Sequence, residues 1–379
     1  MMPPVSATPA PDIPTRLRKQ PFFLPPALAH WRRLDTTTLT MTRFTPFRTD
    51  RRQLLRQALA GLATLPLARL GQAAGAAAAW PSQPVKVLVG FPGGSSPDLT
   101  ARLLVEYLAP VLSAQPVIVE NRSGAGGNIA AAALARASDQ HTISVMINGN
   151  MTIARLLNPK LGFDPLTDLA PIALIGSAPY VLTANAQLAQ GLEPAQFLDK
   201  ARQAGDRWNY GSPGLGTVAH LGMELLKSRT GIAPLHVPYQ GNPQALQAVI
   251  SGEIQMSLLP PAMALAQQKA GRVALIGITS ATRSALTGNL PSLQELGAKG
   301  LDLEVWNAVA APATLPPEIQ ARLREAVTEA LAIPEARQKL LEQGWVVGDT
   351  SAKALRDRIA ADTEALGTII REQHIRIDS

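Results

Sequence analysis

Two turns in this chain carry the residue types that can hold an anion without a basic side chain. The first, Phe91-Pro92-Gly93-Gly94-Ser95-Ser96-Pro97-Asp98, follows a short apolar run and leads into a helix expected from Leu99. The second, Ser212-Pro213-Gly214-Leu215-Gly216-Thr217, also follows a strand pattern and opens a helix with His220 one turn in. A helix start leaves backbone N–H groups unpaired at the positive end of the helix dipole, and glycines let a ligand approach that backbone closely. Serine and threonine hydroxyls add donors, and the charge of Asp98 suits a first helical turn. Two such turns far apart in sequence imply a small anion, carboxylate or phosphate, clamped between two domains. Tyr239-Gln240-Gly241, after another strand and before a helix start at Pro243, offers a third set of donors to the same cleft.

Other chemistries find less support. Gly214-Leu215-Gly216-Thr217-Val218-Ala219 matches part of a dinucleotide fingerprint, but the next strand supplies His236 and Tyr239 where an acid would hold a ribose. The glycine-rich loop 121–128 completes no G-x-G-x-x-G pattern and reads as a close-packed left-handed turn that supports the cleft. Ser212 falls short of a nucleophile elbow because Tyr210 stands where the first glycine belongs, and a hydrolase would need His220 or His236 beside a carboxylate. His220 reads as a structural histidine or one that orients the Ser212 turn, and Trp306 as core. The chain has no cysteine, which excludes disulfides and thiolate chemistry, and its five histidines show no metal-ligand spacing. The expectation is a binding protein with no cofactor and no catalysis. A cofactor- or nucleotide-dependent exported enzyme is the alternative, and a purely structural interaction protein the third reading.

The elements that must position these turns alternate between strand and helix. Strands are expected at 85–91, 117–120 and 142–147, with helices at 99–112 and 128–137, which makes a βαβαβ unit. A proline-rich loop region follows, then strands at 172–177 and 180–184. A second unit of the same plan has strands at 208–211, 235–238, 254–259 and 273–279 and helices at 194–203, 217–229, 243–250 and 262–270. A strand at 303–311 precedes helices at 317–332, 335–343 and 352–373, with a short extended piece at 345–347. If the strands near 172–184 and 303–311 both run between the units, the chain crosses twice and forms a hinge. Mostly parallel sheets put ligands outside the carboxyl ends of their strands, which is where both glycine turns fall.

At 379 residues the chain exceeds one ordinary core, and its 46% hydrophobic and 17% charged residues describe a folded protein. The net charge of +7 suggests nucleic acid or a membrane surface, but its distribution argues against both. Residues 1–79 hold 11 Lys and Arg against 3 Asp and Glu, while the remainder is nearly neutral at 24 against 25. That basic head resembles a twin-arginine export signal, with Arg51-Arg52 ahead of a weakly apolar stretch and alanines at 77 and 79 that fit a cleavage pattern before Trp80. A basic amphipathic helix is the other reading. Met41 offers a second start, and residues 1–40 are expected to be disordered. The apolar run of the leader is too short to span a bilayer, and no later segment reaches spanning length.

Taken together, residues 80–85 (WPSQPV), the FPGGSSPD loop, residues 116–128 (PVIVENRSGAGGN), residues 209–216 (NYGSPGLG) with Thr217 and His220, and residues 236–241 (HVPYQG) resemble the Bug family. These are periplasmic solute-binding receptors of tripartite tricarboxylate transporters. The likeness runs from Trp80 to the C-terminus with motif order kept. It implies an α/β periplasmic-binding-protein fold, type II-like, with two doubly wound α/β domains joined by a two-crossing hinge. Residues 80–178 and 305–379 would form domain 1 and residues 179–304 domain 2. The resemblance places ligand contacts on Phe91, Pro92, Gly93, Gly94, Ser95, Ser96 and Asp98, on Asn148, Gly149 and Asn150, and on Ala178 and Pro179 at the crossing. In the second domain they fall on Ser212, Gly214, Gly216, Thr217, His220, Tyr239, Gln240 and Gly241. The implied partners are a small carboxylate solute and the membrane components of a transporter or a membrane sensor, with no nucleic acid. The receptor is expected to be a periplasmic monomer. Gly93, where relatives often carry proline, and Pro97 before Asp98 depart from the family pattern, so the first loop is expected to shape its pocket differently.

Overall fold

The computed structural model describes residues 80–112 and 116–375. The expected export leader, the alternative start at Met41 and the expected cleavage position lie outside the described residues. The first unit runs β1 (Val85–Val89), α1 (Ser96–Leu112), β2 (Val117–Asn121), α2 (Asn128–Ala135), β3 (Thr142–Ile147), the short helix α3 (Asn148–Thr152) and β4 (Leu169–Pro179). The second runs β5 (Val181–Asn185), α4 (Pro194–Ala204), β6 (Asn209–Ser212), α5 (Val218–Thr230), β7 (Leu235–Pro238), α6 (Asn242–Ser251), β8 (Met256–Leu259), α7 (Pro261–Lys269) and β9 (Val273–Ile278). The chain ends with β10 (Glu304–Pro312), α8 (Pro317–Ala332), α9 (Pro334–Glu342) and α10 (Ala352–Glu372).

Two five-stranded sheets of matching plan result, in the orders β2-β1-β3-β10-β4 and β7-β6-β8-β5-β9. Within each, the first three strands are parallel, and the fourth is antiparallel to both neighbours. The reversed strands, β10 and β5, are those that arrive from the other sheet. A parallel entry needs a crossover helix over the sheet face, whereas β4 passes straight through Tyr180 into β5 and so enters from the opposite end. Thr279 ties the two crossings together. Its hydroxyl donates to the Leu303 carbonyl (2.6 Å) and accepts the Tyr180 N–H (2.8 Å), and its own N–H donates to the Tyr180 carbonyl (3.0 Å).

Apolar spacing builds the layers. On α1, Ala101, Leu104, Leu108 and Leu112 recur at helical spacing and are buried with Val85, Val87 and Val89 of β1. Each leucine so buried contributes about 1.5–3 kcal/mol. The C-terminal helices return to the first sheet: Trp306, wholly buried on β10, donates its Nε1 to Asp362 of α10, and Lys339 of α9 pairs with Glu106 of α1. The extended piece near Trp345 makes a bridge from Val346 to Ser177 on the edge strand β4. Helix α1 begins at Ser96, three residues before the expected Leu99, because Ser95 accepts the first helical hydrogen bond from Leu99 and Pro97 fits a first turn. The region expected as proline-rich loop holds short helices, among them α3. No helix among the described residues is long and apolar enough to cross a membrane.

Candidate functional site

Both glycine turns are braced by one device: a buried side chain one turn into the helix accepts the N–H of the glycine four residues earlier. In the first, Asp98 Oδ2 accepts the Gly94 N–H at 2.8 Å while Gly94 holds φ of +77°, a conformation that favours glycine. The same carboxylate takes Arg102 Nε at 3.0 Å and Asn121 Nδ2 at 2.8 Å, and Asn121 also donates to the Phe91 carbonyl. Burial opposes ionisation of Asp98, but the hydrogen bonds from Arg102, Asn121 and Gly94 outweigh it and hold the carboxyl below the usual aspartate range. The amide of Gly94, expected among the free donors, is therefore already committed, and Asp98 shapes the loop from within it.

In the second turn, His220 Nδ1 accepts the Gly216 N–H at 3.3 Å, and Thr217, the N-cap of α5, accepts the N–H of His220 and donates to the Gly214 carbonyl. Ser212 Oγ lies 2.7 Å from His236 Nε2 and 3.0 Å from the Gly214 carbonyl. The ring of His236 stacks on both Tyr210 and His220, at centroid distances of 4.8 and 4.3 Å. Tyr210 in turn donates to Glu224, which pairs with Lys227. Burial, helped by the neighbouring His220 and Lys227, pushes His236 down to about 3, and burial also lowers His220. Both imidazoles are thus neutral hydrogen-bonding groups at ordinary pH. No carboxylate among the described residues bonds His236, so the Ser212–His236 contact lacks the third member of a hydrolytic triad.

The remaining expected residues act around these turns. Asn150 Nδ2 donates to the Gly126 carbonyl and to Asn128 Oδ1, and Asn148 Nδ2 donates to the Glu304 carbonyl, so α3 braces both the 121–128 loop and the start of β10. That loop is rich in left-handed residues, with φ of +49° at Ala125 and +61° at Gly126. Ala178 and Pro179 close β4 where it leaves the first sheet, and the Tyr239 hydroxyl points to Glu253 at 3.0 Å.

The two lobes meet where backbone faces backbone. A Cβ added to Gly126 would lie 2.8 Å from the Leu215 carbonyl, one at Gly149 would lie 3.2 Å from the Gly216 carbonyl, and one at Gly241 3.1 Å from the Pro92 ring. Behind these contacts is a cavity of about 20 Å³, room for roughly one water molecule. Phe91, Ser95, Ser96, Pro97 and Ile147 line it from the first lobe, Pro213, Asn242 and Pro260 from the second, and Tyr180, Val305 and Asn307 from the crossings. Phe91, Ser95 and Ser96 among the expected contacts therefore reach its wall. Pro92, Gly93, Gly94, Asp98, Asn148, Gly149, Asn150, Ala178, Pro179, Ser212, Gly214, Gly216, Thr217, His220, Tyr239 and Gly241 do not line it. Sequence reasoning missed Asn242, Asn307 and Tyr180. A larger groove of about 590 Å³ lies between the Met151–Leu156 region and α10, but neither glycine turn reaches it.

Two lobes of this topology, joined by tied strand crossings with helix starts facing one another across a cleft, define a periplasmic-binding-protein fold. Residues 100–375 match the model of the tripartite tricarboxylate transporter family receptor, and the chain belongs to that family. It is 30% identical over 322 residues to the UPF0065 protein in the tcbD-tcbE intergenic region of a Pseudomonas species, covering 84% of this chain and 95% of that one. It is likewise 30% identical over 295 residues to BugT of Bordetella pertussis, covering 77% and 90%. Among solved structures, it resembles MatC of Rhodopseudomonas palustris with bound malate (29% identity, TM-score 0.72, 77% of this chain and 100% of that one). A second R. palustris protein, with adipate, gives 28% identity and a TM-score of 0.73, with coverage of 78% and 99%.

Proposed function

We propose that this protein is a periplasmic receptor that captures a small carboxylate between its lobes and presents it to the membrane components of a tripartite transporter. The observation that carries this reading is the interlobe cavity, where the start of α1 and the turn before α5 converge and no Lys, Arg or His lines the wall. In this structure the cavity admits about one water, so in this reading the lobes part to admit a carboxylate, which helix starts and hydroxyls then hold with water completing the contacts. The malate and adipate bound by the structural neighbours support the ligand class. In this reading residues 80–178 and 305–379 move as one domain against 179–304, with Thr279 at the pivot. Binding, not catalysis, is the activity, the receptor acts as a monomer, and Arg51-Arg52 direct export by the twin-arginine route.

A thermal-melting screen of residues 80–379 against mono-, di- and tricarboxylates, amino acids and nucleotides tests the reading. A solute at 100 times its dissociation constant adds about 2.7 kcal/mol of stability. Stabilisation by a carboxylate supports the receptor; stabilisation by nucleotides alone, or by nothing, overturns it.

A further inference from the structure

The second glycine turn meets the first lobe through main-chain oxygens: the Leu215 carbonyl faces Gly126 and the Gly216 carbonyl faces Gly149. His220 fixes the backbone between them. A backbone N–H only donates, so the Gly216 N–H, 3.3 Å from His220 Nδ1, requires that nitrogen to be bare, and the neutral ring carries its proton on Nε2. A proton added at Nδ1 sets two N–H groups head to head, and the turn must move to part them.

The surroundings also disfavour a charged ring. His220 is buried in the first turn of α5, at the positive end of the helix dipole, and it stacks at 4.3 Å on His236, which in turn stacks on Tyr210 of β6. On its own helix Glu224 favours a proton, whereas Lys227, paired with Glu224 at 2.9 Å, opposes one. Tyr210 donates its hydroxyl to Glu224, and Tyr239 beyond β7 donates to Glu253. β8 carries no ionisable side chain. Arg229 at the far end of α5 pairs with Glu372 of α10, and Glu304 of β10 pairs with Arg358.

We propose that His220 is a positioning residue for solute capture: its neutral ring shapes the turn that closes on the first lobe, so the receptor holds its solute at neutral pH and releases it in acid. This rests on the receptor reading above and adds a proton to its cycle. With the lobes together the turn is pinned and the ring resists protonation; with the lobes apart the turn is free to move and the ring takes a proton more readily. Affinity is therefore lost as pH falls through the open-form value, below about 6.5, by up to about tenfold per pH unit.

Calorimetric titration of residues 80–379 at pH 7.5 and 5 tests this, with malate, adipate and any other carboxylate that stabilises the protein in the melting screen. His220→Asn is the comparison, because its side-chain oxygen offers an acceptor near the place of Nδ1 and takes up no proton. The carboxyl groups of the solute titrate alike against both proteins, so the parent should lose about tenfold more affinity in acid than the variant. Should the variant fail to fold, nuclear magnetic resonance of the parent decides: the Gly216 amide should titrate with the His220 ring, and solute should lower the midpoint of both, as linkage requires. Equal losses in parent and variant, or a His220 midpoint that solute leaves unchanged, overturn this inference and leave the receptor standing. No binding by any carboxylate of the screen overturns both.

Discussion

Closure of the lobes can be opposed by one methyl group. Gly126 holds φ of +61°, and a Cβ there would lie 2.8 Å from the Leu215 carbonyl of the opposite lobe and 3.6 Å from the Thr217 methyl. The carbonyl belongs to the main chain and cannot swing aside as a flexible side chain would. Gly126→Ala therefore has two effects. Left-handed strain of about 1–2 kcal/mol lowers stability whether the lobes are together or apart, and so cancels in binding. In the proposed movement of the two domains the contact with Leu215 arises only on closure, and overpacking of this kind costs about 1–3 kcal/mol. If the ligand binds the closed form, that difference raises the dissociation constant about 5- to 150-fold. Gly271→Ala is the control: φ is +69° and nothing lies within 4 Å of the added Cβ, so it carries the strain without the contact. Calorimetric titration with the best carboxylate from the melting screen measures the affinities. Small-angle scattering without ligand measures the separation of the lobes, which should increase for Gly126→Ala alone. Equal affinity and equal radius of gyration in the two variants would refute the role of this contact in closure.

Other expectations follow from the same geometry. His236 is neutral in both folded and unfolded chains above its ordinary value near 6.5. Below it the unfolded chain takes up a proton that the folded state refuses until about pH 3, so stability falls across that window by up to about 1.4 kcal/mol per pH unit. His220 acts in the same sense, and melts from pH 7.5 to 5 should show a slope that His236→Gln flattens; an unchanged slope would assign it elsewhere. Asp98→Ala leaves one of the two Asn121 Nδ2 protons and the Gly94 N–H without their acceptor and should cost about 2–4 kcal/mol in denaturant unfolding, whereas a loss under 1 kcal/mol would mean that the loop holds itself. The ionised form of Asp98 contributes above the unfolded value near 4, and that contribution fades as pH falls through its depressed folded value. Thr279→Val strands the Tyr180 N–H at the hinge and should lower unfolding free energy by about 1–3 kcal/mol, with a melting temperature equal to the parent counting against the tie.

The glycine turns and most strands were legible because their signals are local. Val85–Val89 and Thr142–Ile147 are apolar runs bounded by turn residues, and the pairing of glycines with a hydroxyl or acid at a helix start is written in consecutive positions. The direction of β5 and β10 was not legible, since period-two patterning carries no sense of direction and reversal follows from how each strand reaches its sheet. Commitment of the Gly94 and Gly216 amides was missed for a related reason: the i to i+4 spacing to Asp98 and His220 was visible, but not which way either side chain turns. Asn307 left a faint trace. It is a lone uncharged polar residue in the otherwise apolar Trp306–Pro312 portion of a strand buried everywhere but at Glu304, the kind of exception that calls for a partner. Asn242 and Tyr180 left none, because only the meeting of a crossing with a helix start brings them to one wall.

The reversed strand β10 also sets a timetable. All five strands of the second sheet lie between Val181 and Ile278, so that sheet can close as soon as its own stretch of chain exists. The first sheet cannot, because β3 and β4 are separated in it by β10, whose residues begin at Glu304. During synthesis the lobe that begins the fold must wait for nearly the whole chain before its central pairing forms, while the lobe made later completes first. Completion of the amino-terminal lobe thus reports that the polypeptide has been made past β10, and a truncated product leaves β3 and β4 with unpaired edges open to other chains.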